Sequence, residues 1–197
     1  MMRHKTTTNF ILLISVFFVV FFARCDADYM PKPYGYFRID LPEHTYRHYD
    51  SLEKYQFEFP EYAFVTHDLN SPLEKNWINI EFPLFKGSLH ISHKEIKGNL
   101  NEYLEDAHTM LIKHLPKANA IRDSLIIDSA RSVYGIMYSI EGKGVASPVQ
   151  FYLTDSTTNY VRGALYFNIH PNNDSLAPVI SFLKKDILHF INTLEWK

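Results

Sequence analysis

Apolar side chains recur at every second position in one segment of this chain after another, and that period of two constrains the fold more than any other feature. Tyr55, Phe57 and Phe59 alternate with Gln56 and Glu58; Ile78, Ile80 and Phe82 alternate with Asn79 and Glu81; Leu89 and Ile91 follow in the same manner between Ser88 and His93. Successive side chains of a strand point to opposite faces, so each segment predicts a half-buried strand. Pro60, Pro83 and Lys86-Gly87 separate them. Four more strands are expected at 125–128, 133–141, 149–154 and 160–169. The Gly-Lys-Gly of 142–144 and the polar stretch 155–159 lie between the last three, which predicts antiparallel hairpins.

Two segments change to a helical period. Behind Asn99 and Glu102, which have the spacing of a capping box, Leu100, Tyr103, Leu104, Ala107, Leu111 and Leu115 recur at three- and four-residue steps until Pro116. Near the carboxy terminus Asp174-Ser175 is placed to cap a helix with Pro178 in its first turn. Its apolar line is Leu176, Val179, Ile180, Leu183, Ile187, Phe190, Ile191 and Leu194. Antiparallel strands with two main helices packed on them make an α+β fold, expected as a single domain over 55–197. The order of strands, helix, strands and terminal helix resembles the Mog1/PsbP-like sandwich, a likeness of topology that carries no function.

The amino terminus is of another kind. Arg3 and Lys5 precede fourteen residues, Phe10 to Ala23, that are apolar except for Ser15. Such a helix would reach only about 21 Å, short of the roughly 30 Å hydrocarbon core, so residues 1–24 read as an export signal before a membrane anchor. Directly behind it stands Cys25, the one cysteine among 197 residues. A cysteine after an apolar stretch and before polar Asp26 resembles the lipobox at which bacterial lipoproteins are acylated. Ala23 fits that pattern; Phe22 and Arg24 depart from it. The plainer reading is a thiol that merely ends a leader. Residues 25–54 are rich in tyrosine and proline without a clean period, which predicts an extended, lipid-anchored arm. Tyr34, Tyr36, Phe37 and Arg38 are its candidate contacts, either for a partner or for the protein's own core.

Several chemistries are excluded. A net charge of -2 with no long block of like charges leaves no footprint for nucleic acid. One thiol allows no internal disulfide and no CxxC metal site. Among the ten histidines, His90 and His93 are three apart on an expected strand and therefore point to opposite faces. Glu105 and His108 are neighbours on an expected helix, but a solvated face is the simpler account. No nucleophile elbow, HExxH, phosphate loop or GxGxxG occurs, so no catalytic residue, metal ligand or cofactor is assigned.

Long strings carry a resemblance: Pro31-Lys-Pro-Tyr-Gly-Tyr-Phe-Arg-Ile-Asp-Leu-Pro42, Trp77-Ile-Asn-Ile-Glu-Phe-Pro83, Ala146-Ser-Pro-Val-Gln-Phe-Tyr-Leu-Thr-Asp-Ser156, Arg162-Gly-Ala-Leu-Tyr-Phe-Asn168 and the ending from Pro171 to Lys197. With these the chain resembles the gliding motility lipoprotein GldD family of Bacteroidetes. That resemblance implies a non-enzymatic envelope lipoprotein, required for gliding and supporting the associated type IX secretion apparatus. It would be held to a membrane by lipid on Cys25, face the periplasm and touch other proteins of that apparatus. The competing class is a periplasmic ligand-binding or enzymatic domain, which needs a deep pocket with convergent polar groups and shifted pKa values. Five aspartates are followed by serine, and the triplets resemble the acceptor for periplasmic O-glycosylation in that phylum. Ser51, Ser124, Ser129 and Ser156 are the candidates, Ser156 foremost because it lies in an expected hairpin loop; Ser175, at a helix cap, is the weakest. Turn and cap chemistry accounts for the same dipeptide.

Overall fold

The computed structural model describes residue 35, residues 38–69 and residues 71–197. The expected leader, Cys25, Tyr34, Tyr36 and Phe37 lie outside the described residues. In chain order the elements are β1 (Tyr46–Tyr49), β2 (Tyr55–Pro60), β3 (Phe64–His67), β4 (Ile78–Phe82), β5 (Gly87–Glu95), α1 (Leu100–Ile112), β6 (Ala120–Asp128), β7 (Val133–Glu141), β8 (Val149–Thr154), β9 (Asn159–Phe167), α2 (Asn173–Thr193) and β10 (Glu195–Trp196). Two short 3-10 turns, Pro83–Phe85 and Leu115–Lys117, connect some of them.

Every strand pairing is antiparallel. Seven strands form one sheet in the order β3-β4-β5-β9-β8-β7-β6, and three form a small one in the order β1-β2-β10. The register of the large sheet lines up the expected apolar positions in rows. Ile80, Leu89, Leu165 and Val149 stand opposite one another in turn; the next row is Ile78, Ile91, Gly163, Phe151 and Met137. Gly163 is needed in that row. A Cβ there would lie 2.2 Å from Cζ of Phe151, so the bare position lets the Phe151 ring lie across its neighbour strand and reach Phe190 of α2, 5.7 Å between centroids.

One core joins that sheet face, α2 and the small sheet. Val179, Phe182, Leu183, Ile187, Phe190 and Ile191 line α2 and belong to the same buried cluster as Tyr55, Phe57 and Phe59 of β2 and the inward rows of the large sheet. Phe57 and Phe190 meet at 4.7 Å. Each such side chain contributes about 1.5–3 kcal/mol by leaving water, which outweighs any local propensity in deciding where α2 lies. On the opposite sheet face lies α1, over part of it. Its Leu111 groups with Ile140 and Val145, and the hydroxyl of Tyr160 donates to the carbonyl of Tyr103 at 3.2 Å. The two helices thus flank the sheet, one on each face.

Several local expectations differ. The capping box does not form: the Asn99 side chain accepts from the Lys97 amide at 2.9 Å and makes no cap bond, because a short amide satisfies a nearby turn as readily as a helix end. α2 starts at Asn173, so Asp174 and Ser175 lie within it and Pro178 sits inside the helix rather than in its first turn. The strand expected at 125–128 begins at Ala120, and β9 ends at Phe167. β1, β3 and β10 were not expected; all are four residues or fewer. The folded body takes in β1, ahead of residue 55, since Tyr46 to Tyr49 pair with Pro60 to Phe57. The carboxy terminus closes on the same strand: β10 pairs with β2, and Nζ of Lys197 donates to the carbonyls of Asp50 and Leu52.

His90 and His93 do point to opposite faces. His90 bonds Asn79 on the outer face at 2.8 Å, whereas His93 is 5% exposed in the interior and bonds Asn159 at 2.9 Å. Burial pushes the His93 pKa down, and burial with the nearby Arg162 and Lys117 charges does the same to His114. Both rings are protonated more readily in the unfolded chain than in the folded one. Stability is therefore expected to fall as pH drops below about 6.5, ahead of the carboxylate limb nearer pH 4. Urea titrations between pH 7 and pH 5 check this, and His93→Gln flattens that upper limb while lowering stability at pH 7.

Candidate functional site

A charge stands in the middle of the apolar stripe of α2. Asp186 follows Phe182 and Leu183 by four and three residues and precedes Phe190 by four, so it shares their inward face and is 2% exposed. A buried carboxylate is costly unless donors replace its water. Three do. His44 Nδ1 lies 2.7 Å from Oδ1, the Tyr46 hydroxyl donates to Oδ1 at 2.9 Å, and the Tyr62 hydroxyl donates to Oδ2.

Aromatic stacking fixes those donors. His44 stacks on Phe182 at 4.2 Å, Tyr46 on His189 at 3.5 Å, and Tyr62 packs among Phe82, Phe85 and Phe182. His189 in turn meets Glu58 of β2 at 2.7 Å. Burial, then the bonds to Asp186, hold the Tyr46 and Tyr62 phenols far above the ordinary tyrosine range, so both remain donors across physiological pH. All three donors are engaged with one acceptor. The arrangement holds the segment entering β1 against α2.

A cleft of about 360 Å³ lies elsewhere, between Leu52-Glu53 and the loop from His67 to Asn76, and no residue of the Asp186 network lines it. Among the described residues no group of three or more His, Cys, Asp or Glu side chains could hold a metal ion, and no helix is long and apolar enough to cross a membrane.

The residues singled out from sequence are not gathered in one place. Arg38 is exposed and pairs with Asp40 at 3.3 Å. Ser51, Ser124, Ser129, Ser156 and Ser175 are all exposed. Ser51 borders the cleft, Ser124 lies within β6, and Ser129 follows it. Ser156 has a left-handed backbone, φ 69°, in the β8–β9 turn. There Asp155 Oδ1 accepts the amides of Thr157, Thr158 and Asn159 at 2.7–2.9 Å. The Ser175 oxygen accepts from Asn172 at 3.1 Å. Asp186 is not among the residues that the sequence singles out. Its one local signal was an aspartate at a three- and four-residue interval from large apolar residues.

Replacing Asp186 by Ala leaves two hydroxyls and an imidazole unpaired in the interior and is expected to cost about 3–5 kcal/mol. Asp186→Asn keeps the shape and one acceptor oxygen and is expected to cost about 1–3 kcal/mol. Chemical denaturation of the full chain measures both.

No curated protein matches the chain. A solution structure of cyanobacterial PsbP from Synechocystis sp. PCC 6803 is similar over 80% of this chain and 95% of its own, with a TM-score of 0.47 and 11% identity. Residues 26–196 match the family described as gliding motility lipoprotein GldD. A match over most of its length decides the matter: the chain belongs to the GldD family of gliding motility lipoproteins.

Proposed function

We propose that the protein is a non-enzymatic component of the cell envelope, held to a membrane by lipid on Cys25 and facing the periplasm, where it supports gliding and the associated type IX secretion apparatus. The observation that carries this reading is the family match, which runs from Asp26 to Trp196. The residues matched start directly behind Cys25, in keeping with an anchor residue followed by a folded body. The non-enzymatic part draws on the Asp186 network. Its donors and acceptor satisfy one another, as in a fixed joint, whereas a catalytic group needs reach to a reacting atom.

Acylation accounts for membrane attachment without a spanning helix, since each buried methylene of the chains contributes about 0.8 kcal/mol. Cys25→Ala is expected to move the protein from the membrane to the soluble fraction or to stall it with its leader uncut. Unchanged partition of a correctly processed Cys25→Ala protein overturns the anchor. For the role itself, a strain lacking the gene is expected to lose spreading and type IX cargo release together, and the wild-type gene to restore both. Release at the normal level in a non-spreading strain separates gliding from secretion and removes the second part of the reading.

Sugar on the exposed Asp-Ser turns belongs to the same proposal. Ser156 and Ser129 stand in turns open to a bulky group. The intact mass of protein from its native envelope is expected to exceed the lipidated polypeptide by hexose-sized steps, and equality of the two masses removes the idea.

A further inference from the structure

The large sheet ends in two unlike edges. On one side stands β3, four residues; on the other stands β6, nine residues from Ala120 to Asp128, with β7 as its one strand neighbour among the described residues. An edge strand presents a row of unpaired backbone groups, and natural edges are usually short or guarded by charge. β6 is not short, and its charges, Arg122, Asp123 and Asp128, flank an apolar stretch from Leu125 to Ile127. Leu125 and Ile127 are 70% and 67% exposed. The register sets them beside Ile136 and Tyr134 of β7, with Tyr152 of β8 behind Ile136. An apolar band thus runs to the rim of the sheet, away from the patch where Leu111 of α1 meets Ile140 and Val145.

We propose that β6 pairs antiparallel with β6 of a second copy of this chain, about a two-fold axis at Leu125. Outward from that residue the charged ends of the strand complement one another. An isologous antiparallel seam sets each residue opposite the one equally distant on the other side. Leu125 then meets Leu125 of the second copy, and Ile127 stands opposite Asp123 and diagonal to that leucine, still within its reach. Ser124 meets Ile126. Arg122 meets Asp128, and by symmetry Asp128 meets Arg122. These last lie on the same sheet face, because the seam pairs residues of equal parity.

The charges fit further. Arg122 already holds Glu141 at 3.0 Å, and Asp128 holds Arg131 at 2.8 Å. Across the seam the signs would alternate, from Glu141 through Arg122 to Asp128 and Arg131 of the second copy, once at each end. Shifting the axis by one residue sets Arg122 against Ala130 or Ile126 and loses this match, so the charges select the register as well as the partner. The seam does not depend on the role in gliding, and it excludes a glycan on Ser124.

The test uses the full-length protein in detergent, its mass measured by light scattering. A concentration-dependent dimer is expected; a monomer throughout the micromolar range overturns the proposal. Leu125→Glu with Ile127→Glu is expected to weaken association about tenfold or more with an unchanged thermal transition, since residue 125 then faces its like-charged copy and residue 127 faces Asp123 of the second copy. A dimer that tolerates this pair of changes overturns the seam. Charge exchange decides the register. Arg122→Asp and Asp128→Arg are each expected to be monomeric alone and to form a heterodimer when mixed, and failure to do so overturns the Arg122–Asp128 pairing. In cells, a photoreactive side chain at position 125 is expected to give a covalent homodimer. Adducts with other proteins alone assign the edge to a different partner and overturn the proposal.

Discussion

A carboxylate shut away from water must find donors, and in this protein that demand organises the entry of the chain into its fold. Asp186 takes its donors from His44, Tyr46 and Tyr62, residues that lie before, within and after the first hydrogen-bonded strand pair. Satisfying it fixes β1 against α2, and β1 carries β2 with it through the small sheet. The apolar face of β2 then completes the core between α2 and the large sheet. Hydrophobic burial supplies most of the stabilising free energy, but it is non-directional. The aspartate adds direction, because its oxygens accept only from donors that arrive at the right place.

The same logic explains the neighbours of the network. Tyr46 stacks on His189, and His189 meets Glu58, so a second polar pair on α2 reaches the same small sheet one helical turn away. Each contact on its own is modest. Together they set the helix and the sheet in one relative position, as buried polar networks do when every member has a partner.

Much of the fold was legible from periodicity. β2, β4, β5 and β7 announce themselves by alternation, and both helices by their three- and four-residue steps, since each has one face in the interior and one nearer solvent; β8 and β9 are largely buried on both faces. What escaped was short or distant. β1, β3 and β10 are too brief to show a period, and they exist because a longer strand lies beside them. The Asp186 network spans sequence separations of 124 to 142 residues, beyond any local pattern. Asn99 carried the right residue type for a cap, yet its side chain serves Lys97 instead, because composition does not decide between two nearby amides. The length of β6 was underestimated for a related reason. Arg122, Asp123 and Ser124 break the apolar pattern, while backbone pairing with β7 continues through them.

The order of contacts along the chain also has a mechanical meaning. Tension applied from the amino-terminal side reaches His44 and Tyr46 before it reaches the rest of β1 or any residue of β2. The first long-range side-chain bonds under load are therefore those of His44 and Tyr46 to Asp186, in the body of a 21-residue helix, alongside the backbone bond from Glu61 to Thr45. Lys197, bound to the carbonyls of Asp50 and Leu52, closes the next stretch of chain from the opposite terminus. A protein hauled by one end would thus pass part of the force into its longest helix, which shares the load with the start of the small sheet until that grip fails.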